Sequence, residues 1–568
     1  MPPAVLFLRH RLTTATADGR HILRLALLLA VHLTAFGLLI AFEDESIGQA
    51  AFVLAWGFIN LFWLTLLRRP LTAAVLSLAL VVVLMVASQF KHDVLMMTAT
   101  FVDLMIVDLA TFSFLMTVVP GLAWKVGLDV LLVLPVLVLA WRNEPFKVRQ
   151  GMAALGCTLC FAALAALAFA FPTDREDEFN PTHYVSKFAR SGAVAVVDLV
   201  TRGVLEADGA TADRLPAGDS GACTASRDLP HIVMVFDESS FDVTMLPNVK
   251  VAPNYRDRFV SSDGRRRAFV VEGAGGPSWY TEYNVLAGLS VRSYGRFAES
   301  VTRLAAGRVR RGLPHALRDC GYHTYSLYTW FGAFVGARGF QTTAGIEHFI
   351  DAKQLGVGPA DTDGFFYDHA ARIIAEARGS GPVFVLVYLT ANHFPWDYRF
   401  RPELLPAWAN PGNPPEVDEY LRRQELSVAD YARFKTRLGR EFPDDKFFIV
   451  RFGDHQPLFA KQFLEPALAH AEVARRILER DPRYFSTYYA TDAVNFRPVD
   501  LSSALDTLDA PYLPLVVLEG AGVPLDAAFA EQKRILRRCR GMFYLCADGA
   551  EARRFNRLLI DAGLIQGF

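Results

Sequence analysis

The sequence predicts an N-terminal transmembrane α-helical region followed by an α/β domain with a mostly parallel sheet. Three observations carry this. Hydrophobic residues make up 52% of the 568 residues, and they concentrate before residue 172 in runs long enough to cross a bilayer. From about residue 229, short β-branched or aromatic runs alternate with helix-like segments. Polar residues able to do chemistry follow directly on several of those runs, where open α/β sheets gather their functional groups. The net charge of −1 offers no basic face and argues against a nucleic-acid partner.

A spanning helix needs roughly 20 apolar residues, and 22–42, 50–67, 71–89, 121–141 and 151–171 qualify. A sixth apolar stretch, 98–119, carries Asp103 and Asp108, which are costly in the middle of a bilayer. Arg9, Arg11 and Arg20 place the N-terminus in the cytoplasm, Glu43-Asp44-Glu45 lies outside, and Arg68 and Arg69 return inside. Arg142, Lys147 and Arg149 also belong inside, which requires that 98–119 not cross fully. The region 1–172 is therefore read as about five spans with an interfacial segment at 98–119. The acidic stretch 174–178 and everything after it then lies outside. The first apolar run is long and lacks a small-residue cleavage site, so no cleaved signal peptide is expected.

Residues 173–228 read as a juxtamembrane segment: an amphipathic stretch at 184–206 suited to a membrane surface, then a linker rich in Ala, Gly, Asp and Ser at 207–228. Cys157 and Cys160 sit in an apolar run. Cys223, Cys320, Cys539 and Cys546 allow three pairings, of which Cys539 with Cys546 is the easiest local one; four free thiols are the alternative.

The domain 229–568 contains six strand-like runs: 231–236, 268–271, 324–328, 383–389, 447–452 and 513–518. Helix-like segments include 305–319 and 365–378, and 397–445 is charged, Pro-rich early and helical later. After the first run come Asp237, Glu238 and Ser239; after the second, a Gly-rich turn leading to Ser278; after the fourth, Asn392 and His393; after the fifth, Gly453-Asp454-His455-Gln456-Pro457. Any one of these has a bland explanation, since an acid after a strand is often a helix cap and a lone His is often a loop residue. Their joint occurrence at strand ends carries the weight.

Asp454 and His455 offer an oxygen and a nitrogen to zinc or manganese, Glu238 a third ligand, and the Ser278 hydroxyl a fourth. Coordination would lower the hydroxyl pKa and make a nucleophile of it, and a helix N-terminus there suits a phosphate. A simple N-cap is the alternative for Ser278, and Thr281 is the second candidate nucleophile. His393 is placed to donate a proton to a leaving oxygen or to bind a phosphate. Trp330 and Arg338 follow the third run, where Arg338 is a candidate phosphate ligand.

These residues resemble a known family. Phe236-Asp237-Glu238-Ser239-Ser240, Gly275-Gly276-Pro277-Ser278 with Thr281-Glu282-Tyr283, the His393 loop and Gly453-Asp454-His455-Gln456-Pro457 look like the sulfatase-fold (alkaline phosphatase superfamily) lipid head-group transferases. Among these the chain looks closest to phosphoglycerol transferases and lipoteichoic acid synthases; the lipid A phosphoethanolamine transferases fit less well. Phe90-Lys91-His92 through Asp103-Leu104 is similar to the segment after the third span in phosphoglycerol transferases. The resemblance covers nearly the whole chain, and the Gly-Asp-His motif is its most specific part.

The resemblance implies one divalent metal (manganese or zinc, with magnesium also compatible) held by Glu238, Ser278, Asp454 and His455. It implies attack by Ser278 on a membrane phospholipid donor, release of diacylglycerol, and transfer of the head group to a periplasmic or cell-surface glycan or glycolipid. His393, Trp330 and Arg338 would contact substrate, and the protein would sit in the bacterial inner membrane with its catalytic domain outside. Two departures stand out. The transferases usually carry Thr where this chain has Ser278. The Cys/Ser-x-Pro-x-Arg motif of formylglycine sulfatases is missing, since Trp279-Tyr280-Thr281-Glu282 follows Ser278. A phosphoethanolamine transferase, a membrane-anchored sulfatase or phosphatase, and an inactive structural member are the alternatives.

Overall fold

The computed structural model describes residues 3–95, 97–105, 107–118, 121–144, 147–172, 180–209, 213–215, 229–358 and 360–566. The chain divides into two compact units, 1–107 with 112–201 and 108–111 with 202–568. The acidic stretch 174–178, Cys223 and most of the expected linker lie outside the described residues.

In the first unit, four helices among the described residues are long and apolar enough to cross a membrane: Arg24–Phe42, Ser46–Leu67, Pro70–Asp93 and Gln150–Ala170. The helix Leu122–Asn143, with Pro135 inside it, occupies the expected 121–141 span. The 98–119 stretch is broken into a 3-10 turn, Phe101–Met105, and a 10-residue helix, Leu109–Val118, half the length a span requires. Asp103 is neutralised within this unit by Lys91, with Nζ 2.7 Å from its carboxylate, and it accepts from the Thr100 N–H at 2.6 Å.

The amphipathic stretch forms the helix Tyr184–Thr201. Tyr184 and Val185 pack with Leu39, Phe52 and Val81, and Ala193 packs with Ala51 and Leu164. Its N-terminal half is thus covered by other helices of the same unit, while Val196, Leu199 and Val200 toward its end are exposed. Glu43, buried just past the first span, accepts from Ser186 Oγ at 2.7 Å.

The second unit is built on an eight-stranded sheet in the order β4-β3-β5-β1-β6-β7-β2-β8. The strands are β1 (His231–Asp237), β2 (Arg267–Val270), β3 (His323–Leu327), β4 (His348–Ile350), β5 (Val383–Tyr388), β6 (Phe447–Gly453), β7 (Ser486–Val494) and β8 (Thr507–Asp509). All neighbours are parallel except β7, which runs antiparallel to both β6 and β2. Every residue of β1, β5 and β6 is buried. That is why these strands read as continuous apolar runs rather than alternating ones. The core between the sheet and its covering helices joins Val233, Val235, Val385 and Ile449 to Phe366, Ile374 and Phe434.

Two expectations are corrected. The run 513–518 is a helix, Leu513–Ala521. Pro514 sits in its first turn, where a missing N–H costs nothing, and Gly522 follows in the left-handed conformation that stops a helix; a central strand would have lost a ladder bond at that proline. The segment 305–319 is two short helices, Val301–Ala305 and Leu313–Arg318, parted by a turn through Gly307 at φ +76°. Strands β4, β7 and β8 add to the predicted set. The expected helices at 365–378 and late in 397–445 appear as Asp363–Ala377 and Pro415–Glu441. Cys539 and Cys546 are bridged, Cys320 is also disulfide-bonded, and Cys157 and Cys160 are free.

Candidate metal centre and nucleophile

Parallel pairing of β1 with β6 sets Asp237 opposite Gly453. The next residues along each strand, Glu238 and Asp454-His455, therefore emerge side by side at the C-terminal edge of the sheet. Glu238, Asp454 and His455 are all buried, and one ligand atom from each lies within 4.8 Å of the others. His455 Nε2 is 3.3 Å from Glu238 and 3.2 Å from Asp454 Oδ2. The motif glycine has a steric reason: a Cβ at Gly453 would stand 1.8 Å from the carbonyl oxygen of Ser240.

Ser278 joins this cluster from the β2 side. Gly275 and Gly276, at φ +74° and +109°, turn the chain into the helix Ser278–Ala287. Ser278 Oγ lies 3.1 Å from Glu238 Oε2 and 3.2 Å from His455 Nε2. As the first residue of its helix it sits where unpaired backbone N–H groups gather. Thr281, one turn on, is fully buried, and its hydroxyl donates to the Asp454 carbonyl at 2.7 Å. Its side chain braces the ligand loop and is already committed.

The donor set fits a divalent cation. Asp454 Oδ1 accepts from the N–H groups of Ser239 (2.7 Å) and His455 (2.9 Å), while Oδ2 is buried with no hydrogen-bond partner. An orphaned carboxylate oxygen in such a place calls for a missing partner. His455 Nδ1 donates to the Gln456 carbonyl at 2.8 Å, which leaves the Nε2 lone pair turned toward the carboxylates. Gln456 Nε2 in turn donates to the carbonyls of Arg483 and Ser486, fixing the loop to the start of β7. Left to themselves the groups are in conflict: burial and the Glu238 charge push Asp454 up to about 8. His455, despite its burial, is pushed up to about 9 by Asp454 and Glu238. A cation relieves both. Three oxygens and one nitrogen suit manganese or magnesium, and four ligands suit zinc.

His393 leaves the end of β5 with its Nδ1 donating to the Phe394 carbonyl at 2.7 Å, so Nε2 is the nitrogen open to a reacting group. Burial pushes its pKa down, only partly offset by Glu238. Its ring lies 5.0 Å from that of Trp330, so the structure brings these two expected substrate residues together. It does not bring Arg338 to them by any described contact. The Arg338 guanidinium binds Asp351 (2.7 Å), Gln354 (3.0 Å) and the Phe349 carbonyl (3.0 Å).

Sequence reasoning missed the groups that hold the His393 loop. Asp363 accepts from the N–H groups of Thr390 and Ala391, both at 3.0 Å. Arg423 is paired with Glu419 at 2.8 Å and donates to the carbonyls of His393 and Pro395, both at 2.9 Å. The only sequence signal for Arg423 is the Glu419 four residues before it on one helix face.

No family model matches the sequence, and no curated protein matches it either. Solved structures similar to the chain include the lipoteichoic acid synthase LtaP from Listeria monocytogenes, 16% identical over 58% of this chain and 78% of that one, TM-score 0.40. A second is the Streptococcus pyogenes phosphoglycerol transferase GacH in complex with sn-glycerol-1-phosphate, 12% identical over 63% and 96%, TM-score 0.45. A third is the integral membrane lipooligosaccharide phosphoethanolamine transferase A (EptA) from Neisseria meningitidis, 13% identical over 72% and 82%, TM-score 0.38.

Proposed function

We propose that this protein is a metal-dependent phosphotransferase of the inner membrane. It moves a phospholipid head group, phosphoglycerol from phosphatidylglycerol in the favoured form, to a glycan or glycolipid outside the cytoplasm through a phosphoserine intermediate. One observation carries the reading. The Ser278 hydroxyl stands at a helix N-terminus 3.1 Å from Glu238 and 3.2 Å from His455, in the cluster that holds Asp454 Oδ2, a buried oxygen that accepts no hydrogen bond.

Glu238, Asp454, His455 and Ser278 would hold the metal, which when bound lowers the pKa of a hydroxyl and screens the charge of a phosphate. Ser278 Oγ gives up its proton and forms a bond to phosphorus as the bond from phosphorus to the diacylglycerol oxygen breaks. That oxygen takes up one proton, so the half-reaction is proton-neutral. The acceptor hydroxyl then repeats the displacement in reverse sense and regenerates Ser278. His393 Nε2, with Nδ1 tied to the Phe394 carbonyl, serves as the station for the travelling proton. Trp330 packs against that ring and limits its freedom. Backbone N–H groups at the start of the Ser278 helix receive the phosphate oxygens.

The test is diacylglycerol release from fluorescent phosphatidylglycerol and phosphatidylethanolamine by detergent-purified protein with manganese or zinc, for wild type and Ser278→Ala. Release from phosphatidylglycerol, lost in the variant, is the expected result. Release from phosphatidylethanolamine alone would keep the mechanism and change the head group. Release by Ser278→Ala equal to wild type would defeat the nucleophile.

A further inference from the structure

Among its described residues the catalytic unit buries six Lys or Arg residues almost completely: Arg267, Arg311, Arg422, Arg423, Arg451 and Lys461. Five of them are accounted for. Arg267 meets Asp263 and the Ala504 carbonyl, Arg311 the Ala287 carbonyl and Gln532, Arg422 and Arg423 both meet Glu419, and Arg451 the Arg258 carbonyl. Lys461 has no hydrogen bond or ion pair among the described residues. Burial alone acts on its ammonium, pushing the pKa down to about 8 with no carboxylate to offset it. A cation at the end of an almost fully buried side chain, with no protein group to pair it, favours an anion brought from outside.

Its place in the fold indicates what that is. Lys461 lies on the short helix Ala460–Leu464, which follows the His455 loop. Its Cε comes within 3.3 Å of where a Cβ on Gly275 would stand, three residues before Ser278. Phe459, at the start of that helix, packs against Trp396 with ring centroids 5.2 Å apart, and Trp396 Nε1 donates to the Asn392 carbonyl next to His393. The helix therefore bridges the loop that carries the nucleophile and the loop that carries His393. Arg338, the other candidate for holding an anion, is occupied by Asp351.

We propose that Lys461 is an anion-binding residue of the catalytic site, its ammonium taking a phosphate or carboxylate oxygen of a substrate group brought beside the Gly275–Ser278 turn. The inference rests on the transferase reading above. The oxyanion has two sources, the phosphodiester under attack or a second anionic group on the acceptor, and both present the same chemistry to the lysine.

The experiment compares full-length wild type, Lys461→Met and Lys461→Arg, with inorganic phosphate as the calorimetric probe and diacylglycerol release as the kinetic one. Lys461→Met is expected to weaken phosphate binding by about tenfold or more, the worth of one charge-assisted hydrogen bond. Lys461→Arg should restore most of it, and metal content should stay the same in all three. A matching rise in KM for phosphatidylglycerol without acceptor assigns the oxyanion to the donor phosphodiester. A change confined to transfer onto a glycerol-phosphate-bearing acceptor assigns it to the acceptor. Phosphate binding and both reactions unchanged in folded Lys461→Met would overturn the proposal. Wild-type protein supplies a readout independent of folding variants: phosphate should slow acylation of Lys461 by acetic anhydride, read by mass spectrometry, and absence of protection would also overturn it. Lys461-dependent phosphate binding in a protein that releases diacylglycerol from no lipid would leave this site standing and remove the transferase reading.

Discussion

The two ends of the central strands carry the same kinds of side chain and use them differently. At the N-terminal end of β1, His231 is buried against Phe447 with ring centroids 5.3 Å apart, and its Nδ1 accepts from the Val383 N–H at 3.0 Å. It serves as a strand-to-strand brace between β1 and β5. At the C-terminal end, His455 is as deeply buried, but its Nε2 faces Glu238, Asp454 and Ser278 together. Asp454 Oδ2 there is buried and accepts no hydrogen bond. Burial of an ionisable group is thus common to both ends. Incomplete pairing, with several ligand atoms converging, is found at one.

The largest expected effect separates the two ends outright. Asp454→Ala or His455→Ala should lose the bound metal, measured as moles of metal per chain on the purified protein, and lose turnover with it. His231→Asn should keep the full metal content. Equal metal content in Asp454→Ala and wild type would erase the contrast. A finer cut lies within one helix turn. Ser278→Ala should abolish diacylglycerol release while leaving the melting temperature close to wild type, because its hydroxyl is only partly buried. Thr281→Ala should keep the chemistry but destabilise by about 1 kcal/mol, the net worth of a buried hydrogen bond, here to the Asp454 carbonyl. The reverse pattern would move the nucleophile to Thr281.

What the sequence revealed follows the same division. Strands β1, β5 and β6 were legible because strands buried on both faces show unbroken apolar runs, and the residues just past them were legible because parallel strands deliver their ends to one edge. Leu513–Ala521 was misread because a short apolar run does not distinguish a buried strand from a buried helix; Pro514 and Gly522 held the answer. Strands β4 and β8, three residues each, are too short to show any period. Among the site residues, Glu238, Ser278, Asp454 and His455 converge as their strand-end positions suggested. Arg338 is bonded to Asp351, and no sequence rule ranks an anionic side chain against a substrate phosphate. Arg423, Asp363 and Lys461 were invisible for a related reason. Their roles depend on which loop folds back over them, and that is a tertiary fact.

The smallest effect tests the quiet end of the strands. Burial holds the His231 pKa below its ordinary value, with Asp445 opposing and Arg378 assisting the shift. A depressed histidine pKa means that the unfolded chain binds the proton more readily than the folded one. The stability contributed by neutral His231 is therefore present above the unfolded value of about 6.5 and is lost as the pH falls from there through the lower, folded value. Protonation would also convert Nδ1 from acceptor to donor, opposing the Val383 N–H. Full-length wild type in detergent should lose melting temperature as the pH falls below about 6.5. His231→Asn offers the same N–H an acceptor that does not titrate, so its melting temperature should fall less over that interval. Other groups titrate identically in both proteins, and the difference between the two curves isolates His231. Parallel curves would mean that the ring accepts its proton in place without loss of the β1–β5 contact, and the N-terminal end of the strand would then tolerate charge as readily as the end that carries Asp454 and His455.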